Sequence, residues 1–133
     1  MGKGINDLET TAYNLDDFIQ CCRINPKSIV VDYDAELNAR EQFRLDTKVD
    51  LLGFIGNHGL EELTYINTKP YKIGQKGDKE ILVDAYKFCS NQKIGYIAFM
   101  KVFSGNYRIK SFHLDNEKLT LKDIGSNTKK LLR

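Results

Sequence analysis

The stretch Ile81–Leu114, ILVDAYKFCSNQKIGYIAFMKVFSGNYRIKSFHL, restricts the possible folds more than any other part of the chain. β-Branched and aromatic residues dominate three runs, Ile81–Cys89, Gly95–Phe103 and Tyr107–Leu114, as expected of strands. The links between them are short: Ser90–Ile94, and the strong turn Ser104-Gly105-Asn106. A parallel return needs a crossover of a dozen or more residues, so these links predict an antiparallel meander. Alternation then sorts side chains onto two faces. In the middle strand Ile97, Phe99, Lys101 and Phe103 share the more apolar face, which is expected to meet helices. Tyr96 then looks to the opposite side, and Ser111 and His113 join it if the register allows. Lys110 beside Phe112 breaks the simple alternation and points to a bulge or an edge position.

Upstream, the periodicity is helical. Asn14–Cys22 spaces Leu15, Phe18, Ile19 and Cys22 on one side, with Asn14 placed to cap. Asp34–Leu45 predicts a second helix capped by Asp34, and Thr47–Ile55 a third capped by Asp46. Ser28–Tyr33 fits a short strand or a buried loop. Leu60–Ile66 spaces Leu60, Leu63 and Ile66 as a helix does, although Thr64, Tyr65 and Ile66 also suit a strand. Thr68–Lys79, with one Pro, two Gly and four Lys, predicts a basic loop. Asp115–Lys118 predicts a turn and Leu119–Ile124 a fourth strand; residues 1–13 and the tail from Gly125 are expected to be loose. The sum is one α+β domain over 1–133: helices within about 14–66, then a small antiparallel sheet within about 81–124.

The chain has no apolar run of membrane-spanning length and no apolar signal core, and Asn6 stands where a myristoylation motif needs Ser or Thr. Three cysteines, two of them adjacent (Cys21, Cys22), imply no disulfide framework and fit a reducing cytoplasm. Only two histidines are present, so no metal site or cofactor is expected. No P-loop spacing occurs around Gly74 and Gly77.

The overall charge of +2 hides an asymmetry. Residues 1–67 carry 6 Lys/Arg against 12 Asp/Glu, whereas residues 68–133 carry 14 against 6. A basic β-half suits a polyanion, although a solvated lysine-rich sheet face has the same composition. His113 can move a proton near neutral pH, lysines can hold phosphate, and tyrosines can stack on bases. On its own, His113 also fits a surface residue at a strand end.

The order Tyr71-Lys72, Asp84-Ala85-Tyr86, Gly95-Tyr96-Ile97 and Lys110-Ser111-Phe112-His113, after a helical first half, resembles the RNA-cleaving toxins of the RelE-like fold, and among them the MqsR-type mRNA interferases. The resemblance covers about the last half of the chain. It departs from the family at Val83, Ala98 and His113, where the pattern has glutamine, lysine and lysine. It implies a cytoplasmic, metal-independent endoribonuclease with RNA and an antitoxin as partners. Its motif positions, with the chemistry of histidine, point to His113, Tyr96 and Lys72 for catalysis and to Tyr86, Lys110 and Ser111 for RNA contacts; local positive charge adds Lys69 and Arg108 to those contacts. The alternatives are a non-enzymatic binding module (an immunity protein, an antitoxin or a phage adaptor) and a non-catalytic RNA-binding domain.

Overall fold

The computed structural model describes residues 10–73 and 79–115. Helix α1 (Leu15–Ile24) is followed by a 3-10 turn (Pro26–Ser28) and β1 (Val30–Val31). Helices α2 (Tyr33–Phe43) and α3 (Lys48–Gly56) come next, and then β2 (Glu61–Ile73), β3 (Lys79–Ser90), β4 (Lys93–Lys101) and β5 (Tyr107–Leu114). The sheet order is β1-β5-β4-β3-β2. The meander β2–β5 is antiparallel, as the short links require, but β1 pairs parallel to β5 and makes the sheet mixed.

The helices cover one face of the sheet. Phe18 of α1 stacks on Phe99 of β4 at 3.8 Å between ring centroids, and Tyr86 stacks on the same ring at 6.1 Å. Phe43 of α2 meets Phe88 and Phe112. Leu51, Leu52 and Ile55 of α3 are buried in the same core. Phe99 is fully buried and Lys101, on the same face, is exposed at its rim. Asn14 caps α1, accepting from the Asp17 amide at 2.8 Å.

Several sequence expectations need correction. The cap of α3 is Thr47, in a reciprocal capping box with Asp50, rather than Asp46. Asp32, not Asp34, precedes α2, and its carboxylate is engaged with Arg108 instead of the helix amides. Leu60–Ile66 is not a helix, and Thr68–Ile73 is not a loop: from Glu61 onward both belong to the edge strand β2. The helix-like spacing has a cause. Register shifts between Glu61 and Thr64 and between Tyr65 and Asn67 insert extra residues, which stretch a period of two toward three. Pro70 and the lysines suggested a loop, yet an edge strand tolerates both because half of its amides face away from the sheet. Residues 10–13 are docked by the buried carboxylate of Asp84, which accepts from the amides of Ala12 and Tyr13 at 2.9 Å and from the Thr68 hydroxyl. The expected fourth strand, Leu119–Ile124, and the basic tail lie outside the described residues.

Candidate functional site

The face opposite the helices owes its chemistry to one inserted residue. Ala98 pairs with Ser111 and Phe99 with Ile109, so Lys110 has no partner on β4. This bulge resolves the broken alternation of the sequence. Tyr107, Ile109 and Phe112 are buried, whereas Arg108, Lys110, Ser111 and His113 are only partly so.

The register sets His113 directly opposite Tyr96, and the rings stack at 5.0 Å with 17° between their planes. Nδ1 of His113 lies 2.7 Å from the Leu114 carbonyl. A carbonyl can only accept, so Nδ1 carries the proton, and in the neutral ring Nε2 keeps a free lone pair. Burial raises the Tyr96 pKa, and the nearby charge of Asp115 adds to the effect. The Tyr96 phenol is therefore a hydrogen-bond donor at neutral pH. Asp115 is itself 5% exposed, and its Oδ2 has no hydrogen-bond partner among the described residues.

Beside this pair lies a groove of about 280 Å³, lined among others by Asn67, Lys69, Tyr71, Tyr96, Lys110 and Ser111. Its floor follows from the register. Asn67 pairs with Ala85, Ala85 with Ala98, and Ala98 with Ser111, so one row of small side chains crosses four strands. The next row, Lys87–Tyr96–His113, is taller. On the other side the Lys110 ammonium sits 4.7 Å from the centre of the Tyr71 ring and bridges the groove.

The candidates from the sequence thus divide. Tyr96, His113, Lys69, Lys110 and Ser111 share this face. Lys72 does not: it is one residue out of phase with Lys69 and Tyr71 on β2, so its side chain leaves the sheet on the opposite side. Tyr86 also lies on the helix side, 4% exposed, where burial first and the neighbouring Asp84 second raise its pKa to about 12. Arg108 is on the right face, but its guanidinium is paired with Asp32, and Lys110 reaches the other oxygen of Asp32 at 3.8 Å. Asn67, Tyr71, Lys87 and Asp115 belong to the site and were not singled out as site residues. The alternation Val83, Ala85, Lys87 could have found Lys87; Asn67 and Tyr71 required β2 to be recognised as a strand. His58, with φ +64°, follows α3 and lines a separate hollow of about 190 Å³ with Asp16 and Arg23.

No described helix is long and apolar enough to cross a membrane. Among the described residues, no three His, Cys, Asp or Glu side chains gather into a group that could hold a metal ion. No protein-family model matches the chain, and neither curated proteins nor solved structures give a significant match.

Proposed function

We propose that the chain is a metal-independent endoribonuclease acting on single-stranded RNA, of the toxin kind restrained by an antitoxin over the same sheet face. The observation that supports this most is the Tyr96–His113 pair: a stacked imidazole with Nδ1–H fixed on the Leu114 carbonyl and Nε2 free, beside Lys110 and Lys69. In this reading Nε2 of His113 accepts the proton of a ribose 2′-hydroxyl. The 2′-oxygen forms a bond to the adjacent phosphorus, and the bond from phosphorus to the 5′-oxygen breaks. The leaving oxygen takes a proton from solvent, which reaches this face. The products are a 2′,3′-cyclic phosphate and a 5′-hydroxyl.

Lys110 and Lys69 supply positive charge to the phosphorane, and the protonated Tyr96 phenol donates a hydrogen bond to it. Lys110 takes the phosphate role first given to Lys72, which lies on the other face. General acid–base catalysis typically contributes about 10²–10⁴-fold, so His113→Gln lowers cleavage by that order, while the lost stacking on Tyr96 costs no more than about 1.5 kcal/mol of stability. The assay follows purified protein with labelled RNA, with and without EDTA, and identifies the new ends. Cleavage that is equally fast in His113→Gln, or abolished by EDTA, refutes the mechanism. Absence of cleavage even with ribosomes supplied would leave the non-enzymatic binding module in its place.

A further inference from the structure

The groove beside His113 holds two polar side chains that no described residue bonds. Among the described residues, neither the Asn67 amide nor the Ser111 hydroxyl has a hydrogen-bond partner, and each stands at one end of the same cross-strand row. Between them the row carries only the methyl groups of Ala85 and Ala98, which are 2% and 3% exposed at the bottom. Across three strand spacings of about 4.8 Å, the backbones at the two ends lie about 14 Å apart across the sheet. The flanks are flat and aromatic: Tyr96 on one side, Tyr71 under the Lys110 ammonium on the other. The result is a groove that is apolar at the bottom of the row, polar at both of its ends and flanked by tyrosines.

We propose that this groove is a base-recognition subsite that takes one unstacked purine ring from the RNA, next to the bond that His113 attacks; it rests on the endoribonuclease reading only for that last placement. Each feature matches a part of such a ligand. A heteroaromatic ring is flat, has π-faces for tyrosine and a cation–π edge for Lys110, and offers donors and acceptors around its rim. An amide presents one donor and one acceptor side by side, the complement of a base edge. Lys69 and Lys110 at the mouth neutralise the attached phosphates. The two-ring purine spans more of the row than a pyrimidine and stacks over more of its area. A phosphate alone uses neither the apolar floor nor the aromatic flanks, and an apolar peptide side chain leaves Asn67 and Ser111 unpaired.

Binding separates this proposal from catalysis. Fluorescence anisotropy with short 2′-deoxy oligonucleotides removes the attacking hydroxyl, so no cleavage can occur. The parent protein binds an oligonucleotide carrying one adenine or guanine among thymines about tenfold tighter than the all-thymine control, within what stacking and one paired base edge supply. Ala98→Leu fills the groove and abolishes the difference, and Asn67→Ala reduces it severalfold. Asn67 sits on a half-exposed edge strand, so this second variant remains informative if the buried Leu substitution prevents folding. Equal affinity of the parent for both oligonucleotides overturns the subsite, even if the protein cleaves RNA through His113. A preference that survives both substitutions overturns it as well. A purine preference that both variants lose, in a protein that never cleaves RNA, upholds the subsite while the nuclease reading falls.

Discussion

Lys110 is an insertion in an otherwise regular strand, and its deletion tests what the bulge is for. Ile109 pairs with Phe99 and Ser111 with Ala98, adjacent positions on β4. Deleting Lys110 brings Ile109 and Ser111 into direct sequence and leaves every other pair in place, including Tyr96 with His113. The alternation also closes: Tyr107, Ile109 and Phe112 stay inward, and Arg108, Ser111 and His113 stay outward. What is lost is a cation over Tyr71, worth about 0.5–1 kcal/mol at such a site. A pair with Asp32 at 3.8 Å is also lost, worth at most about 1 kcal/mol for groups 29% and 16% exposed. The deletion therefore costs about 0.5–2 kcal/mol in urea unfolding. Lys110→Ala, which keeps the bulge, costs a similar amount. In RNA binding each variant lowers the slope of log affinity against log salt by about 0.7, the share of one phosphate contact on a single strand. A deletion that fails to fold, or costs more than about 4 kcal/mol with Lys110→Ala near neutral, refutes the register argument. An unchanged salt slope refutes the role of Lys110 in the site.

Three further outcomes follow from the core. Asp84→Asn replaces one acceptor oxygen with a donor facing the Ala12 and Tyr13 amides and the Thr68 hydroxyl, and it costs about 3 kcal/mol by urea titration because buried donors lose their partner; a change below about 1 kcal/mol shows that residues 10–13 are not anchored there. Gly95→Ala drives a methyl group into the Phe88 ring, which is held between Phe43 and Phe112, and destabilises by about 1–3 kcal/mol; a neutral effect means that the ring can yield. Alkali unfolds the protein early: burial raises Cys22 from 9.0 to about 12 and Tyr86 from 10.0 to about 12, and Tyr107 rises for the same reason, with its bond to Asp17 adding. These groups hold their protons in the folded state after the unfolded chain has released them. Their stabilisation is therefore complete below about pH 9 and falls toward pH 12, by about 1.4 kcal/mol per pH unit for each group in its window. Stability that stays flat from pH 9 to 11 by urea titration contradicts this.

The sequence was most legible where one period ran unbroken. In β4, Tyr96, Ala98 and Met100 alternate with Ile97, Phe99 and Lys101, but the pairing of Tyr96 with His113 was left open by the sequence, because it depends on the bulge at Lys110. The turn between β3 and β4 is tighter than its composition suggested: Ser90 pairs with Lys93, and Asn91 and Gln92 both take positive φ, as a two-residue hairpin demands. Legibility failed where two periods interfered. In β2 the extra residues of two bulges imitate a helical spacing, and the residues that protect an exposed edge, Pro70 and the lysines, imitate a loop. That misreading carried through to the site, because only strand geometry separates Lys69 and Tyr71 from Lys72.

The parallel pairing of Val30–Val31 with β5 was hidden for another reason: two residues carry no period at all. Yet this strand matters to the site. It leads into Asp32, whose carboxylate holds Arg108 and reaches Lys110. The acid that fixes Arg108 thus also touches Lys110, whose ammonium leans over the groove toward Tyr71. Asp32→Ala therefore acts in two opposite ways. It lowers stability by leaving Arg108 unpaired at the β1–β5 junction, and it frees Arg108 to meet a phosphate. The expected result is weaker urea resistance together with a steeper salt dependence of RNA binding, by up to about 0.7 in the slope. If stability and salt slope fall together, Asp32 positions the basic residues instead of restraining them, and the division of labour along β5 has to be redrawn.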